Sequence, residues 1–217
     1  MRDASMAGSL AGRNPAAEVV RAAFIAYAGR AMKTLTALVI ALALAVSVPT
    51  SGAAEKLLVY FSPKGGCAEA VVEALNRSKS TVLVQAYSFT SKPIAEALIA
   101  AAKRGVKIQA ILDKSQRTER YTEATFLLHA GIPTYIDAVH AIAHNKVIVI
   151  DDQVVITGSF NFTTAAEEHN AENLLVIQDA AIAAQYTKNW NLHLSHSEVY
   201  VGPTEKTVAA TKRNRRY

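Results

Sequence analysis

The chain has 217 residues, of which 51% are hydrophobic, and its 23 Lys and Arg against 18 Asp and Glu give a formal net charge of +5. This length suffices for one domain with a hydrophobic core. The single cysteine, Cys67, excludes an internal disulfide and a cysteine-based metal cluster. The thiol is therefore expected either to be buried or to be available for pairing between chains.

Residues 32–54 carry the pattern of a secretory signal peptide. A positive start at Met32 and Lys33 precedes an apolar stretch at 35–48, and small residues follow at 52–54. This order of regions predicts cleavage at the end of the segment and a periplasmic or secreted protein. The apolar stretch is short for a membrane span, and an uncleaved anchor is the alternative.

Residues 1–31 form an extra segment in front of this pattern, so Met32 is a candidate for the true start. Residues 1–54 carry five of the basic and two of the acidic residues, so 18 basic and 16 acidic residues remain after them, a net charge of +2. The high isoelectric point is therefore no argument for nucleic-acid binding by the whole surface.

Residues 55–200 alternate between strand and helix patterns and are predicted to form one domain. Strands are predicted at 56–61, 80–87, 106–112, 133–136, 147–150, 154–157 and 172–177, and helices at 67–77, 92–104, 121–129 and 180–193. The strand, helix and strand within 80–112 predict a right-handed crossover and a parallel pair. The whole pattern predicts a single α/β domain, with a mixed, mainly parallel sheet and helices on both faces.

The candidate site lies in residues 144–161, which read HNKVIVIDDQVVITGSFN. The apolar run at 147–150 is typical of a strand buried on both faces. His144 and Lys146 stand two residues apart at its start, so both side chains are expected on one face. Asp151 is an odd number of residues beyond Lys146, so it is expected on the other face, and a turn follows it.

A second apolar strand leads to Gly158, which allows a close backbone approach. Ser159 and Asn161 share a face if the chain stays extended beyond it. A lysine charge and neutral donors suit a phosphate group, and a neutral imidazole supplies a nucleophile or a general base. A lone His-x-Lys pair is weak evidence, because a histidine at a strand edge is more often structural; the complete pattern is far more specific.

That pattern, His144-x-Lys146-x4-Asp151 followed by Gly158-Ser159-x-Asn161, resembles the signature of the phospholipase D superfamily. The resemblance extends to the flanking residues 86–90 and 170–173 and covers roughly residues 57 to 195. In length and flanks the chain resembles the small bacterial endonucleases of the superfamily, which carry one signature copy per chain. The resemblance thus implies that residues 55–200 are a phospholipase D-like catalytic domain.

The resemblance also implies a catalytic set of His144, Lys146, Asp151 and Glu172. One His144 attacks phosphorus, and a second His144 faces it across a C2 homodimer and protonates the leaving oxygen. Lys146, with Ser159 and Asn161, holds the phosphoryl oxygens. Glu172 accepts a hydrogen bond from His144 and fixes its tautomer, and Asp151 has a structural role at the strand end. No metal and no cofactor are required.

Three functions fit these residues. The first is a metal-independent, non-specific endonuclease that cleaves DNA, with RNA as a further substrate class left open. The second is a phospholipase D acting on phospholipid headgroups or cardiolipin, because the chemistry at phosphorus is the same. The third is a non-catalytic module that binds polyanions, although such a module would not need His144 and Glu172 together.

The remaining histidines and the C-terminus give no second motif. His129, His169, His193 and His196 show no metal-ligand spacing with nearby acids, and His140 is interpreted as a loop histidine. Trp190 is predicted to lie in the core rather than to stack on bases. The basic tail at 201–217 is either a solvated end or a flexible arm for a polyanion.

Overall fold

A computed structural model describes residues 18–21, 23–27, 56–119 and 122–203. The chain divides into two units, Met1–Gly52 and Ala53–Tyr217. The described residues of the first unit are helical and exposed. The predicted signal peptide at 32–54, and the tail beyond residue 203, lie outside the described residues. Among the described residues, no helix combines the length and the apolarity that a membrane crossing requires.

The second unit alternates strands and helices in the predicted order. Its strands are β1 Lys56–Ser62, β2 Thr81–Ala86, β3 Lys107–Asp113, β4 Thr134–Asp137, β5 Lys146–Ile150, β6 Val154–Gly158, β7 Glu172–Gln178 and β8 Glu198–Val199. Its helices are α1 Cys67–Asn76, α2 Lys92–Lys103, α3 Ala124–His129, α4 Thr164–Glu168 and α5 Ala180–Leu194, with a short 3₁₀ turn at Lys114–Arg117.

The strands form one eight-stranded sheet in the order β1-β7-β6-β5-β2-β3-β4-β8. The prediction of a single mixed α/β sheet is confirmed, but the prediction that it is mainly parallel is wrong. Only β2–β3 and β3–β4 pair in parallel, and the other five pairings are antiparallel. The reason is that β5 and β6 form a tight hairpin, β7 turns back beside them, and β1 returns to pair with β7.

Helices cover both faces of the sheet, as predicted. On one face α1 packs on β1 and β7, α2 packs on β3 and on α1, and their fully buried side chains include Val71, Leu75 and Leu98. On the other face α5 packs on Val147 and Val149 of β5. Every residue of β5 is buried, because both faces of this strand are covered.

The structure also decides the two interpretations of single residues in the core. Trp190 is 1% exposed, and its Nε1 donates to the Val84 carbonyl at 2.9 Å, so the prediction of a core tryptophan is confirmed. Cys67 is fully buried at the start of α1. Burial, helped by the nearby charge of Glu167, raises the pKa of the Cys67 thiol to about 11, so it is an inert core residue.

One end of the sheet gathers most of the polar residues of the candidate site. The strand directions bring the carboxyl ends of β1, β6, β2, β3 and β4 together with the amino ends of β5 and β7. His144 and Lys146 at the start of β5, and Glu172 at the start of β7, therefore lie at this end. Asp151 follows the last residue of β5 and lies at the opposite end.

Candidate active site

His144 and Lys146 contact each other at the start of β5. Lys146 is only 6% exposed, and its Nζ lies 3.1 Å from His144 Nδ1 and 2.8 Å from the His144 carbonyl oxygen. Tyr87 supports both groups, with its ring centroid 4.6 Å from that of His144 and 5.1 Å from the Lys146 Nζ. The prediction that the two side chains share a face is confirmed.

The contact with Lys146 fixes the proton on His144. An ammonium group can only donate, so Nδ1 of His144 is the acceptor and the neutral ring carries its proton on Nε2. His144 is exposed, which leaves the Nε2 side of the ring open to a substrate. Burial lowers the pKa of Lys146, and the negative charge of Glu172 partly opposes this effect.

The end of β6 is held closely against β7. Gly158 has φ of 146°, and a Cβ at this position would lie 2.3 Å from the Asn173 carbonyl oxygen. The predicted close backbone approach at Gly158 is therefore confirmed. Ser159 Oγ accepts hydrogen bonds from Asn173 N at 3.1 Å and Asn173 Nδ2 at 3.3 Å, which fixes the exposed serine beside the start of β7.

Asn161 lies on the segment that crosses from β6 to the end of β2. This segment is fixed by Phe162, whose carbonyl accepts from Thr90 N at 3.0 Å and Ser91 N at 2.9 Å. Because β5 lies between β6 and β2, the segment passes the start of β5, where Lys146 lies. Among the described residues, Oδ1 of Asn161 is buried and has no hydrogen-bond partner.

Glu172 lies at the same end of the sheet, but the expected hydrogen bond to His144 is not formed within the described chain. Its Oε1 instead accepts from Asn170 Nδ2 at 3.1 Å. In the strand order β6 lies between β7 and β5. Two strand spacings separate the backbones by roughly 9–10 Å, so the two side chains could meet only if both turned toward each other, and Glu172 is turned to Asn170 instead.

Asp151 does not join these residues. Its carboxylate accepts from Lys79 N at 2.9 Å, Ser80 N at 2.7 Å, Ser80 Oγ at 2.8 Å and Thr81 N at 3.0 Å, and so fixes the start of β2. Burial raises the pKa of Asp151, but these hydrogen bonds outweigh burial and hold the pKa below its ordinary value. We call His144, Lys146, Ser159, Asn161 and Glu172 the motif site, and Asp151 lies outside it.

A second polar group, which sequence reasoning missed, lies at the end of β4. Asp137 is fully buried, and its Oδ2 lies 2.9 Å from His140 Nδ1, 2.8 Å from His193 Nδ1 and 3.4 Å from His196 Nε2. We call these four residues the Asp137 cluster. The prediction that His193 and His196 have no metal-ligand arrangement with an acid is wrong, and His140 is more than a loop histidine.

The sequence did carry a signal for this cluster. Asp137 and His140 are three residues apart, as are His193 and His196, and each spacing places two side chains on one side of a turn. Burial raises the pKa of Asp137, but hydrogen bonds from His193, His140 and His196 outweigh burial and hold the pKa well below its ordinary range. The carboxylate is therefore charged, and in the described chain its side-chain partners are these imidazoles.

Comparison with known sequences points to one family. A sequence model of the family described as "Cardiolipin synthase, PLD-like domain" matches residues 71–193. A protein named "Phospholipase D" from Rickettsia typhi is 44% identical over 130 residues, 60% of this chain and 64% of that protein. The "Mitochondrial cardiolipin hydrolase" of Xenopus laevis is 31% identical over 120 residues, 55% of this chain and 57% of that protein. The chain thus spans less than two thirds of the length of these two relatives.

Comparison with solved structures gives a match that covers nearly the full length of a known protein and two thirds of this chain. The phospholipase D family member Nuc from Salmonella typhimurium is 36% identical with a TM-score of 0.65, and the match covers 67% of this chain and 98% of that one. NucT from Helicobacter pylori is 23% identical with a TM-score of 0.63, and its match covers 67% of this chain and 99% of that one. The second likeness concerns the fold alone.

Proposed function

The chain belongs to the phospholipase D superfamily of phosphodiester hydrolases, and on that premise we propose that it is a metal-independent endonuclease that works as a homodimer. The observation that carries the proposal is the pairing of a buried lysine with an exposed histidine at one end of the sheet. A fixed positive charge beside a nucleophile is what phosphodiester cleavage needs.

The reaction has two steps at phosphorus. Nε2 of one His144 attacks, the bond from phosphorus to the leaving oxygen breaks, and a phosphohistidine forms. The leaving oxygen takes a proton from the other His144. That second imidazole then removes a proton from water, which attacks phosphorus and releases the first histidine. The two histidines form a coupled pair, which predicts a bell-shaped dependence of rate on pH.

Lys146 has two roles in this scheme. Without substrate its ammonium group donates to Nδ1 of His144, so the ring proton lies on the attacking nitrogen. A bound phosphate competes for the same ammonium group, because the phosphoryl oxygens are charged acceptors. Moving Lys146 to the phosphate frees Nδ1 to carry the ring proton and leaves Nε2 with a lone pair for attack. Asn161, whose buried amide oxygen lacks a partner in the described chain, lies on the segment that passes the start of β5.

The homodimer follows from the number of histidines. The residue pattern occurs once per chain, and one imidazole cannot attack phosphorus and protonate the opposite oxygen at the same moment. Two chains related by a twofold axis supply both groups and two lysine charges. Size-exclusion chromatography with light scattering should give twice the chain mass. Mixed dimers in which one chain carries His144→Ala should lose phosphodiester hydrolysis, because the site needs both histidines.

Two substrate classes have separate support. The resemblance in length and flanks to the small bacterial endonucleases of the superfamily, together with the single motif copy, favours nucleic acid. The relatives named phospholipase D and cardiolipin hydrolase favour a phospholipid as the second candidate. We place nucleic acid first because the signature occurs once in this sequence, as it does in those small endonucleases.

The test is a direct comparison of substrates in the presence of EDTA. Purified protein is incubated with plasmid DNA, with phosphatidylcholine vesicles and with cardiolipin vesicles, beside a His144→Ala variant. The expected result is DNA cleavage at the full rate in EDTA, lost in the variant. Headgroup release without DNA cleavage would instead establish the lipid enzyme, and loss of all turnover in EDTA would contradict the metal-independent mechanism.

We also propose that the chain is exported by the segment at 32–54. Cell fractionation and sequencing of the amino terminus should find a periplasmic or secreted product that begins near residue 55. A cytoplasmic product that retains the segment would contradict this.

A further inference from the structure

The Asp137 cluster brings four potential metal ligands to one point from two distant parts of the chain. Asp137 ends β4, His140 follows it in the loop to β5, and His193 and His196 stand at the end of α5 and just beyond it. One oxygen and three ring nitrogens, one from each residue, all lie within 4.8 Å of one another. Two segments of the chain, 56 positions apart between Asp137 and His193, thus bring their ligand atoms to one point.

The spacing of these atoms suits a tetrahedral ion. A zinc ion with ligands at 2.0–2.1 Å separates neighbouring ligand atoms by roughly 3.3 Å. The three distances from Asp137 Oδ2 to the ring nitrogens, 2.8 Å, 2.9 Å and 3.4 Å, lie close to that value. The four ligand atoms as a set lie within 4.8 Å of one another, so the ring nitrogens must approach each other by up to about 1.5 Å to receive the ion.

Hydrogen bonds alone account poorly for this arrangement. Three imidazole nitrogens face one carboxylate oxygen, and the ring centroids lie 4.9 Å, 5.2 Å and 5.3 Å apart. Three ring nitrogens and one carboxylate oxygen thus offer four donor atoms to one cation. Asp137 is fully buried, and within the described chain the side chains that bind it are these histidines rather than Lys or Arg.

We propose that Asp137, His140, His193 and His196 bind one transition-metal ion of the zinc class. Three imidazoles and one carboxylate are ligands that zinc prefers, whereas calcium and magnesium prefer sites made of oxygen atoms. All four positions are filled by the protein, which is the arrangement of a structural ion and not of a catalytic one. The ion joins the loop that leads from β4 to His144 with the end of α5.

This inference is independent of the proposed function. The four ligands include no residue of the motif site, and the ion touches neither the phosphate nor the attacking histidine. A metal-free protein is therefore expected to keep its initial rate at low temperature while it loses thermal stability. Failure of the metal site would leave the nuclease proposal intact, and failure of the nuclease proposal would leave metal binding testable.

The experiment measures metal binding by the full-length protein. The chain is stripped with a chelator, dialysed against Zn²⁺, and analysed by mass spectrometry for metal content and by calorimetry for affinity. We expect one Zn²⁺ per chain, a rise of the melting temperature with Zn²⁺ but not with Mg²⁺, and the visible absorption of tetrahedral Co²⁺ when Co²⁺ replaces it. Absence of bound Zn²⁺ in the stripped and dialysed protein would overturn the proposal.

Three variants make the test specific. His193→Gln and His140→Gln should each weaken Zn²⁺ binding by at least about 100-fold, since even outer-shell partners of a metal contribute about 10–100-fold. His140 is partly exposed on a loop, so this variant folds even if His193→Gln does not. His129→Gln is the matched control, because His129 is exposed at the end of α3 and lies outside the cluster. Undiminished Zn²⁺ binding by His140→Gln would refute the assigned ligands.

Discussion

The motif site and the Asp137 cluster stand at the same end of one sheet, but they are built in opposite ways. In the motif site the histidine is exposed, and an amide oxygen of Asn161 is left without a partner in the described chain. In the Asp137 cluster a buried carboxylate and three ring nitrogens converge from two distant parts of the chain, the arrangement that we propose binds one metal ion. The difference teaches that an exposed histidine stays accessible to a substrate, whereas buried groups that converge on one point join distant parts of the backbone.

Replacing His144 with Ala tests the motif site and is expected to cause the largest loss of activity. Removal of a catalytic nucleophile typically lowers kcat by roughly 10⁴–10⁶-fold. Because the side chain is exposed, the melting temperature should stay unchanged. Initial rates of phosphodiester hydrolysis and circular dichroism check both parts, with His129→Ala as an exposed control. A variant that retains most of its activity would remove His144 from the mechanism.

Replacing Lys146 tests whether its charge or its packing matters. Lys146→Met should lower kcat by about 10²–10³-fold, the usual loss for one group that stabilises developing charge, and Lys146→Arg should lose less. Because burial lowers the pKa of Lys146, its proton is lost at a lower pH than that of an ordinary lysine, about 10.4. As pH rises, the wild-type rate should therefore begin to fall at a pH below that ordinary lysine value. Equal losses in both variants would assign the lysine to packing.

Asp137→Asn tests the Asp137 cluster, where we expect a loss of stability rather than a loss of activity. The loss of a buried charged acceptor should lower the free energy of unfolding by about 1–3 kcal/mol. Chemical denaturation measures this change, and the initial rate at low temperature should remain within a few fold of wild type. A large fall in rate without a fall in stability would mean that the Asp137 cluster contributes to the chemistry of the motif site.

Asp151→Asn should give the smallest effect, because this carboxylate lies at the far end of β5. Asn tolerates the left-handed backbone at this position, where φ is 54°, so the free energy of unfolding should fall by only about 1 kcal/mol at neutral pH. The pKa of Asp151 is lower in the folded protein than the unfolded value near 3.9, so its stabilisation is lost as pH falls through the folded pKa. Denaturation at neutral pH and at about pH 3 should show the difference between variant and wild type shrinking.

The motif site was predictable because most of its residues are close in the sequence. His144 and Lys146 are two residues apart, and period-two alternation on a strand is enough to bring them together. The role of Glu172 came from the family resemblance rather than from local alternation, and in the described chain its carboxylate accepts from Asn170 instead of His144. The Asp137 cluster was missed because Asp137 and His193 are 56 positions apart and each short pair alone looks unremarkable.

The strand directions show the same limit. The strand, helix and strand at 80–112 predicted a parallel pair, and β2 and β3 do pair in parallel. Extending that rule to the whole sheet was the error, since a helix crossover is needed for parallel pairing and β5 and β6 are joined by only a short turn. Local pattern determines each element, but the neighbours of each strand depend on the packing of the entire chain.

The pairing of β1 with β7 has a consequence for how the chain folds as it is made. Lys56 pairs with Gln178, so the first strand of the sheet meets its neighbour only after most of the domain has been synthesised. Loop closure over such a separation is slow compared with local helix formation. Until then Val59 and Phe61 emerge on an unpaired strand that remains half exposed even in the finished protein. A chain interrupted before β7 would therefore expose an unpaired, apolar strand that can pair with other chains. Synthesis through β7 is thus needed to avoid aggregation.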